Sequence, residues 1–155
     1  MHAVCVTMLT FHSLLSALMR FSMDLHLTPA ELATVVPLER NCAKHISIVN
    51  DIYSWEKELL ASQTGHSEGS ALCSAVQVVS QGGKISVEAS KRVLWTFARE
   101  WEFQHELLAA ERFNHLDGCS QGIKDYIKGL EYQMSGNELW SKTTLRYKTP
   151  GGTGN

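Results

Sequence analysis

The sequence predicts an all-α protein. Three observations carry that expectation. Apolar residues recur at helical spacing along nearly the whole chain. No run alternates in the manner of a strand. Helix start and stop signals fall between the periodic stretches. The elements follow in order. A first helix is expected from Val4 to His26. Thr28-Pro29-Ala30-Glu31 then reads as a new start, with Thr28 as N-cap, Pro29 in the first turn and Glu31 at N3. Pro37 breaks that short segment. A long helix is expected from Leu38 to Ser62, and a loop from Thr64 to Ser70. A short helix from Ala71 to Ser80 ends at Gly82-Gly83. Ser86 caps a helix running to His115. Ser120 or Gly122 opens a last helix ending near Ser135-Gly136, and the Gly/Thr/Pro-rich stretch Lys148 to Asn155 reads as a disordered tail.

Composition narrows the function classes. A chain of 155 residues is long enough for one domain with a core. Its net charge of −2 offers no basic excess for nucleic acid. Cys5, Cys42, Cys73 and Cys119 are scattered without a C-x-x-C pair, which fits reduced thiols and a cytoplasmic location rather than a zinc knuckle or a disulfide framework. From Ala3 to Met19 no residue is acidic or basic apart from His12. That stretch is short for a membrane span and carries Thr7, Thr10, Ser13 and Ser16, so a buried helix is favoured over a membrane or export segment.

The segment Asn50 to Glu58 carries the chemical signal. Asn50, Ser54 and Glu58 stand at i, i+4 and i+8. With Asn50 as origin, Ser54 falls near 40°, Glu58 near 80° and Lys57 near −20°, so all four share about one third of the helix surface. Ile48, Ile52, Trp55 and Leu59 gather opposite. An ordinary amphipathic helix with one wet face would look the same. Residue type separates the readings. Asn and Ser compete with the backbone for hydrogen bonds and are mediocre inside helices, so a merely solvated face favours Glu, Lys, Gln or Arg. Short oxygen donors one turn apart, with a longer carboxylate leaning back toward them, suit a hard cation such as magnesium. Lys57 adds positive charge that would serve a phosphate.

The pattern Asn50-Asp51-Ile52-x-Ser54-x-x-x-Glu58 resembles the Asn/Ser/Glu metal motif of class I terpene synthases. Lys57-Glu58 followed by Ala61-Ser62-x-Thr64-Gly65-His66 is similar to fungal sesquiterpene cyclases of the aristolochene-synthase type. Farther along, Asn137-Glu138-Leu139-Trp140-Ser141-x-x-Thr144-x-Arg146-Tyr147 resembles the C-terminal Trp-Ser and Arg-Tyr signature of the same family. The resemblance implies the class I terpenoid synthase helical fold and farnesyl diphosphate, or a similar prenyl diphosphate, as substrate. By it, Asn50, Ser54 and Glu58 would hold one magnesium of a trinuclear cluster. Lys57, Arg146 and Tyr147 would bind the diphosphate, and Trp140 would stabilise carbocations in the hydrocarbon pocket.

The family's Asp-rich motif has no counterpart here. Asp24, Glu31 and Glu39 stand apart, and Glu100, Glu102 and Glu106 come after the first motif instead of before it. Residues 1–13 offer no match to the family's upstream diphosphate-contacting Arg, and neither Arg20 nor Arg40 is assigned that role. The expectation is therefore the C-terminal half of a helical barrel spanning residues 1–147, with an atypical start. Its apolar wall would face water and could favour a homo-oligomer. The alternatives are a non-catalytic helical module that binds a partner through that wall, and a membrane-associated protein resting on residues 3–19. Other motifs are set aside. His105-Glu106-Leu107-Leu108-Ala109 lacks the second His of a zinc helix, and Gly82-Gly83-Lys84 is a turn. Trp95, Phe97, Trp101 and Phe103 read as a packing stripe. Arg92, Arg99, Glu100, Glu102 and Glu106 read as the solvated side of that helix.

Overall fold

A computed structural model describes residues 14–64 and 74–147, and among these every regular element is helical. Residues 14–22 form α1. It stops short of His26 because Asp24 takes a left-handed φ of 53°, and residues 25–28 form no regular element. The expected start at Val4, the atypical residues 1–13, most of the loop after Thr64 and the tail from Lys148 lie outside the described residues.

α2 (Pro29–Thr34) opens with the expected capping box. Thr28 Oγ1 accepts the Glu31 N–H, and the Glu31 carboxylate accepts the Thr28 N–H at 2.9 Å. The break that follows falls at Val35, and α3 (Val36–Thr64) carries Pro37 in its first turn, where a missing N–H is harmless. α4 (Ala75–Gly83) has Ser74 as N-cap and ends at Lys84, at φ 51°. α5 (Val87–Phe113) is capped by Ser86. α6 (Gln121–Thr143) is capped by Ser120 and runs a full two turns past Ser135-Gly136, its expected end. A helical glycine costs about 1 kcal/mol relative to Ala. Beyond it α6 buries Ser141, and Asn137 Nδ2 reaches the Ile46 carbonyl at 3.5 Å, so tertiary contact outweighs the local penalty. Leu145–Tyr147 form a single 3-10 turn.

α3 is the central element and packs against α4, α5 and α6. Its lower half joins a core with Leu38, Cys42 and Ile46 against Tyr126, Ile127 and Leu130 of α6. Its upper half places Ile52 and Trp55 against Val76 of α4 and Leu94 of α5. Each such side chain contributes roughly 1.5–3 kcal/mol on burial. α1 crosses α6 closely: a Cβ on Gly129 would lie 2.4 Å from the Met19 sulfur, which explains a glycine in mid-helix. Tyr126, wholly buried, donates to the Glu39 carboxylate and accepts from Arg20 Nη1 at 3.3 Å, joining α1, α3 and α6. Arg20 is thereby engaged in structure. Burial pushes the Cys42 thiol up to about 12, and its sulfur donates to the Leu130 carbonyl.

Two expectations for α5 change. Its core face is Ser90, Leu94, Ala98, His105 and Ala109, while Phe97 and Phe103 are about half exposed. Residues 95 and 97 stand about 200° apart on a helix, so the aromatics never formed one stripe. Arg99 and Glu102 are also not simply solvated, as described below. Leu14, Leu18 and Phe21 of α1 are exposed. None of the described helices is long and apolar enough to cross a membrane.

Candidate metal and diphosphate site

The donor stack lies on α3 as the periodicity required. Ser54 is buried, and its hydroxyl donates to Glu58 Oε1 at 2.6 Å, one turn on. Asn50, one turn before, accepts the Tyr147 hydroxyl on Oδ1 at 2.6 Å, across 97 residues of sequence. Burial raises the Tyr147 phenol; Arg146 pulls it down and Glu58 pushes it up, so both charges act at this hydroxyl. Trp140 meets the Tyr147 ring edge-on, with centroids 5.6 Å apart. The two sequence motifs therefore meet at one place. Lys57 and Arg146 are exposed beside it, with their charges available to solvent or ligand.

The oxygens suit a hard divalent cation. The Asn50 carbonyl keeps a second lone pair after accepting from Tyr147. The Ser54 oxygen keeps its lone pairs after donating. Glu58 retains its other oxygen. An amide, a hydroxyl and a carboxylate on successive turns are what magnesium accepts while leaving room for phosphate and water.

Asp51 lies between Asn50 and the dry face of α3. It is 7% exposed, and its Oδ2 accepts the N–H of Ala75 at 2.7 Å. Burial pushes its carboxyl up to about 6, against the lowering effect of that bond.

A second cluster joins α3, α5 and α6. His45 Nε2 lies 2.9 Å from Glu102 Oε1, and Arg99 binds both Glu102 and Glu138. His45, Glu102 and Glu138 offer ligand atoms within 4.8 Å of one another. The Arg99 guanidinium, lying 5.0 Å from the Trp95 ring, already supplies the cation between the two carboxylates. Burial lowers both His45 and the neighbouring His105, keeping them toward the neutral form. Nothing in the local sequence pattern signalled this network, because its members come one or two per helix.

The helical fold and the joined motifs point to the terpene synthase family. The chain belongs to that family: the family model described as terpene synthase family 2, C-terminal metal binding, matches residues 6–128. Aristolochene synthase of Penicillium roqueforti is 59% identical over 135 residues, covering 87% of this chain and 40% of that enzyme. Aristolochene synthase of Aspergillus terreus is 57% identical over 134 residues, covering 86% of this chain and 42% of the enzyme. The crystal structure of the P. roqueforti enzyme superposes with a TM-score of 0.76 at 54% identity, covering 86% of this chain and 42% of that one. The chain spans about two fifths of the length of these relatives and has the fold of the metal-binding part of a terpene cyclase.

Proposed function

We propose that this chain carries one metal-binding wall of a sesquiterpene cyclase site that ionises farnesyl diphosphate in the cytoplasm. The observation behind the reading is the Tyr147 hydroxyl on Asn50, which joins the C-terminal signature to the Ser54–Glu58 donor pair. Asn50, Ser54 and Glu58 would hold magnesium. When bound, it would neutralise charge developing on the departing diphosphate. Lys57, Arg146 and Tyr147 orient the diphosphate, with Arg146 gripping two oxygens through its planar fork. The allylic C–O bond breaks heterolytically, its electron pair leaves with the diphosphate, and the half-exposed Trp140 ring offers its face to the resulting cation. The rest of the cavity and the remaining metal ligands would come from the portion of a cyclase that this chain does not match.

The test is to mix the chain with the complementary portion of a relative, magnesium and farnesyl diphosphate, and to analyse the headspace for sesquiterpene hydrocarbons. Product that disappears on Glu58→Gln supports the reading; product insensitive to that change refutes it. A second reading, a non-catalytic module that docks a partner, is favoured by the exposed Leu14, Leu18 and Phe21. A chain that stays monomeric at high concentration by analytical ultracentrifugation, with no hydrophobic-dye binding, would count against it.

A further inference from the structure

Asp51 is an acidic residue buried on α3, 7% exposed. Its neighbours along the helix, Ile52 and Trp55, already pack α3 against Val76 and Leu94, so apolar contact holds the helices together without it. A hydrogen bond adds what apolar contact lacks, which is direction. At the start of α4, Ser74 Oγ accepts the Val76 N–H at 3.2 Å, leaving the Ala75 N–H unserved by the local cap. Asp51 Oδ2 takes that N–H at 2.7 Å. The carboxylate also faces the positive end of the α4 dipole. The contact pins one point on the circumference of α3 to one point on α4, and so fixes how far α3 is rolled about its own axis.

That roll matters one residue away. Asn50 lies about 100° around the helix from Asp51, with its carbonyl on the Tyr147 hydroxyl. A side-chain oxygen held some 6 Å from the helix axis moves about 1 Å for a roll of about 10°. Misplacement on that scale is enough to spoil a shared ligand geometry. We propose that Asp51 is a positioning residue for the cation site: by clamping the first N–H of α4 it sets the roll of α3 that aims the Asn50 and Ser54 oxygens. This rests on the reading of Asn50, Ser54 and Glu58 as ligands.

The experiment compares Asp51→Leu, Asp51→Asn and Val76→Ala in the full chain. Leu removes the tether yet suits the apolar surroundings. Asn keeps an acceptor for the Ala75 N–H but removes the charge. Val76→Ala loosens the same helix contact without touching the tether. Two readouts are taken: the ¹⁵N-resolved side-chain amide of Asn50 without metal, and free Mn²⁺ by electron paramagnetic resonance. Asp51→Leu is expected to move the Asn50 amide toward the position of a free carboxamide and to weaken Mn²⁺ binding about tenfold. Asp51→Asn and Val76→Ala are expected to leave the amide in place and to stay within about threefold of the parent chain. If Asn behaves like Leu, charge and not the tether is responsible, and the proposal falls. It falls equally if Val76→Ala reproduces the Leu effect or if Leu changes nothing. Mn²⁺ binding that is missing, or indifferent to Asn50→Ala and Glu58→Gln, removes the ligand reading itself. The metal-free amide readout still decides separately whether Asp51 sets the aim of Asn50.

Discussion

Removing one hydroxyl should release the C-terminal turn without disturbing the core. In Tyr147→Phe the bond to Asn50 is lost, while the ring can keep its edge contact with Trp140. A neutral hydrogen bond contributes about 0.5–1.5 kcal/mol net, and Tyr147 is only half-buried, so water can replace much of it. The expected loss is about 1 kcal/mol of docking free energy for Leu145–Tyr147, or roughly a fivefold rise in the undocked population. Hydrogen exchange at the amides of residues 145–147 should therefore quicken about fivefold. Asn50→Ala should produce the same acceleration, and the double variant no more than either, since both remove one bond. Tyr147 belongs to neither core cluster, so urea denaturation should shift by less than about 0.5 kcal/mol. Unchanged exchange in Tyr147→Phe, or additive effects in the double variant, would refute the idea that this bond is what seats the turn on α3.

Three further outcomes follow from other parts of the fold. Tyr126→Phe keeps the buried ring but removes its bonds to the Glu39 carboxylate and Arg20; a loss of about 2 kcal/mol by urea denaturation is expected, and a change under about 0.5 kcal/mol would contradict the network. His45 and His105 are held below their ordinary value of 6.5 by burial, so the unfolded chain binds more protons below that pH. Their contribution makes stability fall as the pH drops below 6.5, by up to about 1.4 kcal/mol per pH unit for each histidine, and His105→Gln should flatten that slope in denaturant titrations. Arg99 lowers His45, so Arg99→Ala should let His45 take up its proton at higher pH, read from its imidazole carbon shifts; a move the other way would refute the repulsion between the Arg99 charge and the imidazolium.

The parts of this molecule that could be read from the chain are the local ones. Thr28, Ser86 and Ser120 cap helices because their side chains reach an N–H within three residues, and that chemistry is written in adjacent letters. Asn50, Ser54 and Glu58 could be aligned for the same reason, since one helix carries all three. The end of α6 is not legible at Gly136, where propensity points one way and contacts of Asn137 and Ser141 with the rest of the fold point the other. The inner face of α5 was hidden by its aromatics: small residues, Ser90 and Ala98, mark where α5 packs inward, while the large rings at 97 and 103 lie half outside. Pairing Tyr147 with Asn50 was reachable only through the family resemblance, because no periodicity links residues so far apart. The tether from Asp51 to Ala75 uses a backbone N–H, which every residue but proline has, so the sequence carries no mark of it.

The thiol of Cys42 gives the chain an internal reporter. It is fully enclosed and held in its unreactive protonated form, so an alkylating reagent can reach it only when α3 and α6 separate. Mass-resolved labelling of the peptide containing Cys42 would thus time the opening of the molecule's centre, in crude mixtures and at low concentration, without any probe having to be engineered.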